Sequence, residues 1–244
     1  MKESWQRTAI LVGEDGVTKL ENARVVIFGV GGVGGFVAEA LARAGVGTIG
    51  LVDKDVISES NLNRQIIALR STVGETKTSV MKKRIRDINP ACDVREYPIF
   101  YLPENANDFP LSEYTYIVDA VDTVTAKVEI AVRAKAAAIP MISVMGCGNK
   151  LDPEAFTVAD LAKTDTCPLA RVMRRELKAR GITHLKVVYS KEPPVALKQK
   201  RTDTESGKSV PGSISYAPAT AGLLAASAVI RDILGEEPNQ VRLL

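Results

Sequence analysis

Apolar residues in this chain come in short runs, each followed by a turn-forming stretch and then by a longer segment with apolar positions three and four apart. Val25-Val26-Ile27-Phe28 stops at Gly29, and Thr48-Ile49-Gly50-Leu51-Val52 stops at Asp53. Residues 94–101, 116–122 and 141–145 follow the same plan. Short runs rich in β-branched residues and bounded by turn signals predict buried strands. Between them the spacing predicts helices over 36–44, from Gly74 through Lys83 to Ile88 ahead of Asn89-Pro90, and over 124–138. Strand alternating with helix predicts an α/β fold: a doubly wound, Rossmann-like parallel sheet with right-handed crossovers.

Outside this stretch the rhythm changes. Residues 5–20 read as two short helical turns broken at Gly13 and Gly16. Beyond residue 150, Phe156-Thr157-Val158 and 185–189 read as strands flanking a helix over 168–179, which predicts a mixed, partly antiparallel second half. The polar stretch 192–212, with Lys198, Lys200, Arg201 and Lys208, reads as a mobile loop, and 217–234 as a packed helix ended by Gly235. With no repeat and no linker, residues 1–244 read as a single domain. Its nucleotide-binding half (1–150) and substrate-side half (151–244) are not independent.

Composition narrows the setting. The chain has 45% apolar and 25% charged residues and a formal net charge of +3, as an ordinary globular protein does. That charge is too small to establish a nucleic-acid partner. No run approaches the roughly 18 apolar residues of a membrane span, and Met1-Lys2-Glu3-Ser4-Trp5 lacks a signal-peptide core, so a cytoplasmic protein away from the membrane is expected. Cys92, Cys147 and Cys167 form no Cys-x-x-Cys pair and His184 is the single histidine, which argues against a structural zinc site.

The chemistry begins at the end of the first strand. Gly29-x-Gly31-Gly32-x-Gly34 has the spacing of a phosphate-binding turn: one glycine for the turn, one for close approach to phosphate, one for helix packing. Asp53 stands about 20 residues on, where such folds place the acid that holds ribose hydroxyls. The loops after strands one, two and four face one crevice, so Arg64, Lys77 and Asp122 converge with them. Hydride transfer has little use for those three. Attack of a carboxylate on an α-phosphate needs cations to neutralise gathering charge and an acid to hold Mg²⁺. Asp122 also suits a helix cap, and Arg64 and Lys77 also suit solvated surface positions. An NAD(H) enzyme or a nucleotide-responsive binding module remains the alternative from another class.

These residues resemble the ubiquitin-activating superfamily of ATP-dependent adenylating enzymes, which includes the bacterial sulfur-carrier activators. The resemblance lies in Gly29-x-Gly31-Gly32-Val33-Gly34, Leu51-Val52-Asp53-x-Asp55, Ser60-Asn61-Leu62-Asn63-Arg64-Gln65, Gly74-x-x-Lys77 and Asp119-Ala120-Val121-Asp122. It implies ATP bound by Gly32, Asp53, Asp55, Ser60, Asn61, Asn63, Arg64, Lys77 and Asp122, with Mg²⁺ near Asp122. It also implies a homodimer in which Arg7 reaches the partner's phosphates.

The second half narrows the resemblance. Lys150-Leu151-Asp152-Pro153, Asp160-Leu161-Ala162-Lys163-Thr164, Cys167-Pro168-Leu169-Ala170-Arg171, Arg174-Arg175-x-Leu177 and Pro211-Gly212-Ser213 resemble the tRNA threonylcarbamoyladenosine dehydratase branch. That branch implies tRNA carrying threonylcarbamoyladenosine as substrate. A zinc-free activator of a sulfur-carrier or ubiquitin-like protein, with Cys147 or Cys167 as a thioester nucleophile, is the alternative. Independently, Arg171, Arg174, Arg175 and Lys178 recur at i, i+3, i+4 and i+7 and predict one basic helix face. Such a face is either simply solvated or a phosphate-backbone footprint for tRNA.

Overall fold

The computed structural model describes residues 3–202 and 209–235; Lys208 of the basic stretch lies outside them. A kinked helix α1 (Gln6–Asn22) leads into β1 (Arg24–Phe28), α2 (Gly34–Ala44), β2 (Thr48–Val52), α3 (Lys77–Ile88) and β3 (Asp93–Tyr97). Then come β4 (Tyr116–Asp119), α4 (Val124–Ala136), β5 (Met141–Val144), β6 (Phe156–Asp160), α5 (Pro168–Lys178), β7 (Lys186–Ser190) and α6 (Tyr216–Leu234). The seven strands form one sheet in the order β3-β2-β1-β4-β5-β7-β6. Every neighbouring pair is parallel except β6 and β7. The α/β doubly wound sheet with a mixed second half is thus what the chain forms. Strand order reverses between β1 and β4, and such a switch opens a crevice beyond the strands' carboxyl ends.

Alternation along β1 builds the two layers. Val25 and Ile27 pack with Leu20, Val37, Leu41, Met81, Ile85 and Ala221, beneath α1, α2, α3 and α6. Val26 and Phe28 point the other way, against Tyr101, Phe109, Tyr114 and Ile130. Further along that second face, α4 and α5 enclose Val128, Met173, Leu177 and Val187.

Several boundaries differ from expectation. Gly13, with φ +74°, does kink α1. Gly16 does not break the helix, because its role is steric: a Cβ there would lie 2.8 Å from Val12 and 3.2 Å from Leu234 at the α1–α6 contact. Gly74 (φ +93°) makes a turn rather than opening α3, which starts at Lys77. Strands β3 and β4 end at Tyr97 and Asp119, where their partners in β2 and β1 end, so the residues that follow are released as loops. Helix α6 also corrects the expectation that no segment approaches a membrane span. By length and composition it is apolar enough to cross one. Yet Ala217, Ala221, Ala225 and Val229 are buried against the rest of the fold.

A tight joint lies at Gly34, where a Cβ would lie 1.8 Å from the Gly29 carbonyl oxygen and 3.2 Å from Ile27. Gly34→Ala therefore has to push α2 off β1. It should destabilise the protein by about 3 kcal/mol or more, the upper end of overpacking costs, as read by denaturant unfolding. A loss under about 1 kcal/mol would show that the helix can lift without cost.

Candidate nucleotide-binding site

The site is built on the turn between β1 and α2. Gly29 takes φ +87°, and a Cβ there would stand 2.7 Å from the Ala120 carbonyl oxygen. Gly31 faces more open space: a Cβ there would have Gln65 Nε2 as its nearest neighbour, at 3.7 Å. Gly32 borders Pro218 and the Arg64 side chain. No side chain caps the start of α2 at Val33. The turn therefore offers helix N-terminal N–H groups and a positive dipole end to an anion.

The carboxylate that ends β2 is tied directly to this turn. Asp53 Oδ2 accepts from Val30 N–H at 2.7 Å, and Oδ1 accepts from Asp55 N–H at 2.9 Å. A carboxylate offers about four lone-pair sites, so acceptor capacity remains for ribose hydroxyls. Lys77, buried in the first turn of α3, puts its ammonium 2.7 Å from Asp55 and 3.7 Å from Asp53. Its backbone N–H also bonds the Asp55 carbonyl. Lys77 is therefore a fixed, largely desolvated cation, and not a solvated surface charge.

The Ser-Asn-Leu-Asn-Arg loop closes the next side. Asn61 is buried, and its Oδ1 accepts from Ser58 N–H at 3.1 Å, so it shapes the loop. Ser60 and Ser58 hydroxyls lie 2.8 Å apart. Asn63 Nδ2 donates to the Ser213 carbonyl at 3.2 Å. Arg64 Nη1 donates to the Ser60 carbonyl at 2.9 Å and to Asn63 Oδ1 at 2.8 Å. These bonds fix the guanidinium on its own loop, with the side-chain stem beside Gly32, while engaging two of its five donors. Gln65 is a position that sequence reasoning misses. It is 7% exposed, borders Gly31, and its Oε1 has no hydrogen-bond partner. A buried amide oxygen left unpaired is costly, and Asn89 Oδ1 and the Tyr101 hydroxyl share that state among the described residues.

Asp122 stands exposed just beyond β4. The residue at the cap of α4 is Thr123, so Asp122 is not spent as the cap. Its carboxylate has a long contact, 3.4 Å, with the Thr123 hydroxyl. A single free carboxylate suits Mg²⁺, which takes one or two from the protein and the rest of its shell from phosphates and water. Among the described residues no three His, Cys, Asp or Glu side chains gather into an all-protein metal site. Clefts lined by Lys186, with His184 or Asp232, open at the opposite ends of the strands and hold none of these groups.

One expected placement needs correction. Arg174 does not share an exposed face with Arg171, Arg175 and Lys178. It is half-buried, and its Nη1 donates to the Thr164 carbonyl at 2.7 Å and to the Thr164 hydroxyl, pinning α5 to the segment before it. Arg175 and Arg180 both pair with Glu176, at 2.9 and 3.2 Å. Arg171, Arg175 and Lys178 remain exposed. Arg7 lies far from the turn of its own chain. Its neighbour Trp5 packs on Gly45, past the far end of α2, eleven residues and about 16 Å from the turn.

The family model of the ThiF family matches residues 5–244. The chain belongs to the ThiF family. It is 40% identical over 243 residues to the tRNA threonylcarbamoyladenosine dehydratase of Bacillus subtilis (strain 168), with 96% of each chain covered. A crystal structure of the Escherichia coli tRNA N6-threonylcarbamoyladenosine dehydratase in complex with ATP superposes with a TM-score of 0.85 at 34% identity, covering 96% of both chains. An adenylyltransferase and sulfurtransferase, UBA4, of Vanderwaltozyma polyspora is 36% identical over 139 residues, which is 57% of this chain and 31% of that protein.

Some chemistry open to a ThiF-family fold depends on a thiolate, and the cysteines here are poorly placed for it. Burial pushes the Cys147 thiol up to about 12, and Lys127 only partly opposes that. Burial likewise pushes Cys92 up to about 11, with Asp93 adding to the shift. Cys167 is buried at the start of α5. The thiolate is the reactive species, so at pH 8 Cys92 and Cys147 should be alkylated by iodoacetamide far more slowly in the native protein than in urea. Peptide mass mapping of both thiols reads this out. Native labelling of Cys147 at the unfolded rate would contradict its placement.

Proposed function

We propose that this chain is an ATP-dependent adenylating enzyme of tRNA modification, a tRNA threonylcarbamoyladenosine dehydratase that closes the threonylcarbamoyl group to its cyclic form. One observation carries the reading. The glycine turn, the Asp53–Lys77–Asp55 cluster and Arg64 meet on one side of a chain similar along nearly its full length to such a dehydratase. In this reading Gly29, Gly31, Gly32 and Gly34 shape the phosphate cradle, Asp53 and Asp55 border the ribose, and Ser60, Asn61 and Asn63 shape the loop that presents Arg64. The substrate carboxylate attacks the α-phosphate and pyrophosphate leaves; a nucleophile within the modified base then displaces AMP, so no enzyme thioester is needed. Lys77 and Arg64 neutralise charge that develops on the phosphates. Asp122 would hold Mg²⁺, which supplies further neutralisation.

The same reading makes the protein a cytoplasmic homodimer, with Arg7 serving the partner's phosphates. Ile10 and Leu11, one turn along from Arg7, are 82% and 85% exposed, an apolar pair that a second protomer would cover. Arg171, Arg175, Lys178 and Lys163 supply exposed positive charge for the tRNA backbone. Activation of a sulfur-carrier protein remains the second reading, supported by the partial likeness to the UBA4 protein.

Incubation with ATP, Mg²⁺ and tRNA bearing the linear modification should give a nucleoside lighter by one water, together with AMP and pyrophosphate. Pyrophosphate release with a carrier protein and none with tRNA would transfer the assignment to the second reading. Arg64 separates binding from chemistry. Arg64→Ala should lower turnover about 100-fold while ATP affinity changes little, and Arg64→Lys should recover only part, since an ammonium cannot bridge two phosphate oxygens. Parallel losses of affinity and rate would leave Arg64 as an anchor only.

A further inference from the structure

Among the described residues, the least exposed ion pair lies under the site and has no part in the chemistry above. Lys127 and Asp119 side chains are both 0% exposed, 2.9 Å apart. Lys127 Nζ also donates to the Val121 carbonyl at 3.0 Å and the Val144 carbonyl at 2.8 Å, so the ammonium is enclosed by a carboxylate and two backbone acceptors. Asp119 Oδ1 accepts from Val121 N–H at 3.2 Å, and Oδ2 also accepts from the Ser143 hydroxyl. Both backbone polar groups of Val121 are thereby held from below, one by each member of the pair.

A buried ion pair is a weak source of stability compared with an apolar pair of the same shape, so its placement calls for another explanation. Val121 C=O and Asp122 N–H belong to one peptide plane. Asp122 itself is exposed, with only the long Thr123 contact on its carboxylate. Ala120, just before, is pressed on Gly29. Lys127 reaches from α4 to the ends of both β4 and β5, joining the two strand ends that flank this loop. We infer that the Lys127–Asp119 pair is a positioning device for Asp122, fixing the Val121–Asp122 peptide so that the carboxylate stands ready for phosphate-bound Mg²⁺. The inference rests on the ATP and Mg²⁺ reading of the site and concerns how this chain presents its ligand to the ion.

Calorimetric titration of ATP, with and without Mg²⁺, tests it on the wild type and on Lys127→Met combined with Asp119→Asn, which removes both charges together. In the wild type, Mg²⁺ should tighten ATP binding. In the double variant, metal-free ATP affinity should stay within about 2-fold of wild type. The Mg²⁺-dependent tightening should fall about 10-fold or more, the scale on which residues behind a metal ligand act. A lower melting temperature with unchanged Mg²⁺ dependence would show a structural strut only and overturn the inference. If the double variant does not fold, Ser143→Ala decides. It keeps the charge pair and removes one bond to Asp119, so a shift of about 5-fold in the same direction supports the inference, and none overturns it. Absence of ATP binding in the wild type would overturn the nucleotide reading, and this inference with it.

Discussion

Backbones from three strands and a helix close on Gly29, and the site depends on that approach. Gly29 N–H bonds the Val52 carbonyl at 2.8 Å on one side, and Ala120 N–H bonds the Phe28 carbonyl at 2.8 Å on the other. Above it, Gly34 brings α2 so close that no Cβ fits between them. Asp53 follows Val52 directly, and Asp122 comes two residues after Ala120. The positions of both acids are thus inherited from hydrogen bonds to the one peptide that joins Phe28 to Gly29. A methyl group at Gly29 or Gly34 would act on the acids only by displacing the backbone that carries them.

Charge is arranged around this joint so that little has to move when more charge arrives. Lys77 is held between Asp55 and Asp53 before any ligand binds, and Arg64 is pinned by its own loop. Preorganised cations in a partly desolvated site contribute more than flexible ones, because no reorganisation is needed as charge develops. Asp53 couples the two parts: it bonds the glycine turn through Val30 and lies beside Lys77. Displacing Lys77 would therefore disturb the phosphate turn as well as remove a cation.

Much of this was legible in the sequence wherever a local rule and a global constraint coincide. Val25–Phe28 is a strand both by its β-branched run and by its central place in the sheet. Gly29, Gly34, Asp53 and the Asn-Arg loop are spaced as the turn and crevice require. The misses share a cause: sequence spacing does not report depth. Gly16 looks like a helix break but is a contact point, because Leu234 lies more than two hundred residues away. Arg174 shares the helical period of its basic neighbours, yet it stands between buried Ala170 and Leu177 and is drawn inward to Thr164. Gln65 ends the Ser-Asn-Leu-Asn-Arg-Gln motif without a role that its spacing reveals, Lys127 carries no distinguishing pattern, and burial with the partners they have or lack singles both out.

The second half of the chain bears on the site through geometry and not through charge. A carboxylate that is to be adenylated has to reach the α-phosphate, so the surface that recognises it has to border the glycine turn. The segments that do so come from the C-terminal part. Pro218 of α6 stands against Gly32, and Gly222 lets α6 approach so closely that a Cβ would lie 2.6 Å from the Val33 carbonyl oxygen. Just before α6, the Ser213 carbonyl accepts from Asn63, while Gly212 and Val195 are tied to Asn149 in the loop after β5. Ser213, Pro218 and Gly222 thus border the turn and the Asn-Arg loop directly, with Asn149 and Val195 braced behind Gly212. Substitutions there would act on this border while leaving the cradle of Gly29, Asp53 and Lys77 in place, because none of these contacts runs through the phosphate turn's own hydrogen bonds.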